Sequence, residues 1–188
     1  SGQLPEFYER MQRVLATNPA WQTVALLDAR TEQEIFDLRR PYGQPVALAP
    51  THAEGLREVR RQQSGTAGSI SPAPEALVWV YTPVVHEQEL RYIISAGVSP
   101  RVFQDLLTAI APTGATAAIV DRDGTFVSRV PNFESRVGTP ATRFVREAMQ
   151  RDVRGFYPGT TYEGLKNYTA FYTSSWSGWS AHLSVDSN

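Results

Sequence analysis

The sequence predicts an α+β fold, with two small antiparallel sheets in tandem, each flanked by helices, behind an N-terminal helix. Three observations carry this reading. Short β-branched and aliphatic runs alternate with polar turns, amphipathic stretches of helical spacing separate them, and the order of elements in the first half recurs in the second. A length of 188 residues admits two modules of roughly 90 residues each.

Leu4, Phe7, Met11, Val14 and Leu15 recur at spacings of three and four with Glu6, Glu9, Arg10 and Arg13 between them, which predicts an amphipathic helix stopped by Asn18-Pro19. Ser1-Gly2 reads as an expression remnant ahead of it. Residues 24–28 and 35–38 predict a strand hairpin. Residues 41–50 read as loop, 52–61 as a short charged helix, and 62–74, rich in Ser, Gly and Pro, as loop again. Two strands, 77–85 and 90–98, flank the polar turn His86-Glu87-Gln88-Glu89. Ser99-Pro100 opens a helix, with Ser99 as its cap and Val102, Phe103, Leu106, Leu107 and Ile110 as its apolar stripe.

The order then repeats. Residues 117–121 and 125–129 flank an Asp-Gly turn, a helix follows over about 140–150, and strands at 165–173 and 179–185 close the chain. Asp28 and Ile94 of the first half find counterparts in Asp121 and Leu183, as an internal duplication requires. In the last strand Trp179, Ala181, Leu183 and Val185 alternate with Ser180, His182 and Ser184, which predicts an apolar face on the core with the indole as anchor. The expected division is an N-terminal helix over 3–19, a first module over 20–98, a connecting helix over 99–112 and a second module over 113–188.

Composition removes several function classes. Eighteen basic against nineteen acidic residues give a net charge of −1, so no nucleic-acid surface is expected. The lack of cysteine excludes disulfides, thiolate metal sites and cysteine nucleophiles. No run approaches the roughly 20 apolar residues of a membrane span, so the segment itself is expected to be soluble. There is no glycine-rich phosphate loop and no G-x-S-x-G elbow, and His86-Glu87 lacks the second histidine of a zincin helix. His52, His86 and His182 are far apart, and Asp121 with Asp123 suits a turn better than an acid/base pair. No catalytic residue, metal ligand or cofactor is expected.

The runs 117–124 (AAIVDRDG), Val137-Gly138-Thr139-Pro140 and 177–183 (SGWSAHL) resemble the membrane-proximal module of double Cache domains, the tandem PAS-like extracytoplasmic sensors of bacterial histidine kinases, chemoreceptors and cyclic-dinucleotide enzymes. The resemblance covers roughly 20–186 and is sharper in the second half. It implies two PAS-like modules, a periplasmic or extracellular segment of an inner-membrane signalling protein, most often a histidine kinase, and a small-molecule ligand in the membrane-distal first module. Members of that family hang from a long N-terminal helix between two membrane spans, and such a helix offers a surface for a homodimer.

In PAS-like modules the ligand lies between the sheet and the segment joining the second and third strands. The candidate ligand-binding residues there are Arg39, Tyr42, Trp79, Tyr81 and, on the neighbouring strand, Arg91. Trp79 and Tyr81 share a strand face, arginine offers a planar fork to a carboxylate, and aromatic faces hold cations or apolar bodies, so an organic acid or amine is expected. The amino-acid-sensing branch carries an adjacent Trp-Tyr pair after its arginine, whereas Arg39-Arg40 is followed here by Pro41-Tyr42, which points away from amino acids. In the second half Tyr157, Tyr162, Tyr168 and Tyr172, with Arg129 near them, read as packing. A ligand-free interaction module and a small soluble enzyme are the alternative classes.

Overall fold

The computed structural model describes residues 3–43, 45–72 and 76–186. Over these the chain divides into two compact units, Ser1–Gly68 with Leu77–Ser99, and Ser69–Ala76 with Pro100–Asn188. The Ser1-Gly2 remnant and the loop positions Gln44, Ala73 and Pro74 lie outside the described residues.

The first unit runs α1 (Gln3–Ala16), β1 (Trp21–Asp28), β2 (Gln33–Asp37), a two-residue β3 (Val46–Ala47), α2 (Pro50–Gln62), β4 (Thr66–Ile70), β5 (Val78–His86) and β6 (Glu89–Val98). Its antiparallel sheet has the order β3-β2-β1-β6-β5-β4. On one face the α1 rings Phe7 and Tyr8 meet Phe36 of β2, with centroids 6.1 and 5.2 Å apart. On the other, Leu56 and Val59 of α2 pack with Ala25, Leu27, Trp79, Tyr81 and Ile93, burying the main core of the unit. Glu87 and Gln88 both adopt positive φ, giving the two-residue turn that matches strand twist between β5 and β6.

Strand β4 falls inside the predicted loop. Its sequence, TAGSI, is small and weakly patterned, so pairing beside β5 and not propensity makes it a strand. Smallness is what its place demands, because a Cβ on Gly68 would lie 2.8 Å from Cε2 of Tyr81. Helix α2 shows the same constraint from above. A Cβ on Gly55 would lie 2.3 Å from Cζ of Tyr81, so the helix reaches the sheet only because this position carries no side chain.

The second unit runs α3 (Arg101–Ile110), β7 (Thr116–Val120), β8 (Phe126–Val130), α4 (Phe133–Arg136), α5 (Arg143–Arg151), β9 (Arg154–Thr160), β10 (Lys166–Thr173) and β11 (Ser180–Asp186). Its antiparallel sheet, β8-β7-β11-β10-β9, repeats the order β2-β1-β6-β5-β4, and two tandem PAS-like modules result. The duplication extends to register. Leu26 pairs with Ile94 in the first sheet and Ile119 with Ala181 in the second, so the counterpart of Ile94 is Ala181 and not Leu183, two positions away on the same face. Asp28 and Asp121 both close the turn after the first strand. Asp28 Oδ1 accepts from the N–H groups of Arg30 and Thr31, and Asp121 Oδ1 from those of Asp123 and Thr125, with Gly124 at φ +81°.

Two expectations change here. The N-cap position of α3 is Pro100, one residue beyond the Ser99 that the sequence suggested. The last strand is inverted relative to its hydrophobic pattern: Ser180, His182 and Ser184 are buried, whereas Leu183 and Val185 are 38% and 56% exposed. The reason is the placement of helices. Val145 and Ala148 of α5 join the core on the polar face, while α3 packs on β8 and β7 and leaves the outer face of β11 open. Trp179 meets Phe103 of α3 at 5.2 Å and does not anchor the inner core.

Candidate functional site

In the first unit the face beneath α2 is assembled row by row. One cross-strand row is Asp37, Ala25, Ser95, Tyr81, and the next is Thr23, Gly97, Trp79. Gly97 leaves the space that the Trp79 indole fills, and a Cβ there would come within 3.2 Å of that ring. His52, the third residue of α2, drops onto this surface. Its ring meets Trp79 edge-on at 4.4 Å, its Nδ1 lies 3.3 Å from Oη of Tyr81, and its Nε2 lies 3.4 Å from a Glu34 carboxylate oxygen. Tyr81 donates its hydroxyl proton to the Thr51 carbonyl at 3.0 Å.

Charge enters from the β2 side. Asp37 is buried, accepting from Thr23 Oγ1 at 2.6 Å and from Arg39 at 2.6 to 3.1 Å, while Glu34 pairs with Arg40. Burial alone would raise the Asp37 carboxyl, but the hydrogen bonds from Arg39 and Thr23 outweigh it and hold the group below the usual carboxylate range. The Arg39 guanidinium, 42% exposed, lies 5.5 Å from the centroid of the Trp79 ring. The result is a half-exposed Arg39 guanidinium at the edge of a buried floor of Trp79, Tyr81, His52, Glu34 and Asp37.

The five candidates therefore separate. Arg39, Trp79 and Tyr81 share this α2 face. Tyr42 packs at a tilt against Tyr8 at 5.3 Å and Phe36 at 6.5 Å on the α1 face. Arg91 stands over Tyr92, six residues along β6 from the Gly97 that faces Trp79, which is about 20 Å of strand. Sequence reasoning missed His52, Glu34 and Asp37. A signal existed for the first: His52, Gly55, Leu56 and Val59 recur at spacings of three and four, which puts the histidine on the buried stripe.

The second unit carries a polar inner face of its own. Tyr157, Phe171 and His182 cluster there, with Phe171 and His182 stacked at 9° and Tyr157 Oη 3.0 Å from His182 Nδ1. Burial pushes the imidazole down to about 4 and the phenol up to about 12. Arg129, 2% exposed, forms a two-pronged pair with Glu163 and also donates to the Pro131 carbonyl. Burial would raise the Glu163 carboxyl, but Arg129 and Asn132 bring it down to about 2. Among the described residues no group of three or more His, Asp or Glu is arranged to hold a metal, and no helix is long and apolar enough to cross a membrane.

No family model matches the sequence, and no curated protein matches it closely. Solved structures do match. The extracellular domain of a protein described as a histidine kinase, rpHK1S-Z16, is 18% identical, with 97% of this chain and 77% of that one covered and a TM-score of 0.67. A second such extracellular domain, mmHK1S-Z3, is 12% identical over 97% and 79% of the two chains, with a TM-score of 0.72. The ligand-binding domain of the Pseudomonas aeruginosa PAO1 amino acid chemoreceptor PctB, in complex with L-Gln, is 15% identical over 93% and 71%, with a TM-score of 0.63. The chain thus has the double-Cache-like fold of the extracellular sensor domains of histidine kinases and chemoreceptors.

Proposed function

We propose that this chain is the extracytoplasmic ligand-sensing region of a membrane-anchored bacterial signalling protein, a sensor histidine kinase in the first instance, and that its first module, the membrane-distal one, binds a small organic acid or amine. A chemoreceptor or a cyclic-dinucleotide enzyme is the alternative parent. The segment itself carries no catalysis. The observation that supports the binding reading is the Arg39–Trp79 pair, a half-exposed guanidinium held over an indole that is itself buried in the floor of this face.

An incoming carboxylate would compete with Asp37 for the Arg39 fork, and an organic cation would take the ring face in place of the guanidinium. Either event loosens the Asp37–Arg39 contact and so biases the β2 end of the module. A ligand signals only by the difference in its affinity for two arrangements. The parent would form a homodimer through the N-terminal helix.

Calorimetry against a panel of organic acids, amines and amino acids tests this. The expected result is one saturable binder whose affinity falls at least about tenfold in Arg39→Ala, consistent with loss of a charged hydrogen bond, and again in Trp79→Phe. Tyr42→Ala and Arg91→Ala should matter less. No binder in the panel, or a binder indifferent to Arg39→Ala, refutes the site.

A further inference from the structure

The face of β11 that its hydrophobic pattern marks for burial lies open, and the neighbouring strands continue it. Strand pairing sets Phe156, Ala170 and Leu183 in one cross-strand row, with Tyr172 and Ala181 in the row on one side and Tyr168 and Val185 in the row on the other. Phe156 is 81% exposed, and Tyr168 and Tyr172 are 58% exposed each. The exposed parts of these three rings, with Leu183, Val185 and the apolar side chains of α3 beside them, amount to about 450–800 Å². The largest apolar patch on a typical monomer is roughly 300–600 Å², and a specific interface takes about 800 Å² from each partner.

Helix α3 carries the same signal. Leu107 is buried against the sheet and Phe103 meets Trp179, which is the stripe a surface helix needs. Val102, Leu106 and Ile110, four residues apart, form a second apolar stripe that is 40% to 68% exposed. A surface helix of a globular protein keeps one apolar stripe; two belong to a helix packed on both sides.

The two features fit each other. Because α3 packs on β8 and β7, the strands β11, β10 and β9 remain as an open strip about 10 Å across at the usual strand spacing, which is the width of one helix. Between the strip and α3 runs an open groove of about 350 Å³, walled by Leu107 and Ile110 on one side and by Tyr172 and Leu183 on the other, over Ala170 and Ala181. A two-fold rotation lays the α3 of each copy on the open strip of the other, so that the two helices lie side by side between two sheets. Charge agrees with this arrangement. Asp105 is on the side of α3 turned away from Ile110, and Arg154 closes the Tyr172 row at the β9 edge, so the rotation brings Asp105 of one copy to the Arg154 side of the other.

We propose that the outer face of the second module is a homodimer interface, in which α3 of each copy fills the strip beside α3 of the other. The occupant is a second copy of this chain because one surface supplies both the doubly apolar helix and the helix-wide strip that receives it. This contact is separate from pairing through α1 and does not depend on the ligand site of the first module.

Sedimentation velocity of the whole chain between about 1 μM and about 1 mM tests this. The expected result is a monomer–dimer equilibrium within that range, weakened at least about tenfold by Leu106→Glu and by Tyr172→Glu, each of which would bury an unpaired charge in the interface. Both positions are more than half exposed, so thermal denaturation should show both variants folded. Asp105→Arg and Arg154→Asp should each weaken the dimer about threefold or more, and the double variant, which restores opposite charges, should recover it. This charge exchange decides the matter even if a glutamate variant does not fold. A chain that stays monomeric throughout, a dimer indifferent to Leu106→Glu and Tyr172→Glu, as one built on α1 would be, or a double charge variant that recovers nothing overturns the proposal. A monomer that instead binds vesicles of anionic phospholipid through this face assigns it to a lipid surface and overturns the proposal as well.

Discussion

His182 should make the stability of this protein depend on pH in a range where most proteins change little. Its imidazole is 4% exposed, and burial pushes its pKa from 6.5 down to about 4 in the folded state. Between these values the unfolded chain binds the proton and the folded chain does not, so stability rises with pH across that window. The contribution is fully present above pH 6.5 and is lost as the pH falls through about 4. A displacement of about 2.5 pKa units corresponds to roughly 3 kcal/mol, which in a chain of this size is about 6–12 °C of melting temperature. The perturbation is His182→Gln, which keeps a donor and an acceptor beside Tyr157 and cannot titrate. Urea denaturation at several pH values between 7.5 and 4 gives the free energy for both proteins, and their difference cancels every other titrating group. The wild-type protein should lose about 3 kcal/mol relative to the variant over this span. Parallel curves for the two proteins would mean that His182 is hydrated or charged in the fold.

Gly55→Ala places a methyl group into the Tyr81 ring and should destabilise the first unit by about 1–3 kcal/mol, read by thermal denaturation, while Gly55→Ala combined with Tyr81→Leu should recover most of the loss. Glu163→Gln leaves the Arg129 guanidinium buried without its counter-charge and should cost about 3–5 kcal/mol at pH 7, a loss that an Arg129→Met, Glu163→Gln double variant largely recovers. The Glu163 carboxyl sits near 2 in the fold and 4.5 unpaired, so its contribution is present above about pH 4.5 and disappears as the pH falls through about 2; an acid titration of wild type against Glu163→Gln checks this order.

Much of the architecture could be read from the chain because most of its elements obey one simple rule each. The α1 stripe, the Asp-Gly turn at Asp121, and the hairpin across Glu87-Gln88 all declare themselves through local spacing. What could not be read depended on a partner far along the chain. Strand β4 is small because a tyrosine in β5 lies on it, and nothing in TAGSI announces that ring. The faces of β11 reversed because the burial of a strand is decided by which helix covers it, and alternation alone says only that two faces differ. At the candidate site, the shared face of Trp79 and Tyr81 was legible from strand parity and Arg39 was brought to it by the resemblance to PAS-like modules, whereas the separation of Tyr42 and Arg91 from them depended on which face and which end of the sheet each occupies.

The two sheets share a scaffold and differ in what their inner faces bury. The row that begins with Asp37 in the first sheet begins with Arg129 in the second, since Ala25 faces the one and Ala118 the other. The sign of the buried charge at this position is thereby reversed. Each is neutralised locally, Asp37 by Arg39 from its own strand end and Arg129 by Glu163 from the loop after β9. The neighbouring row changes from indole to threonine. A duplicated module that had kept one ligand would need the same charge and the same volume at these places, because a reversed charge repels the old ligand and a vacated indole no longer shapes its pocket. Both determinants changed together while the strand order and pairing did not. The same strand order thus buries an acidic group beneath α2 in one module and a basic one on the inner face beneath α5 in the other, and the side chains of two adjacent rows make the difference.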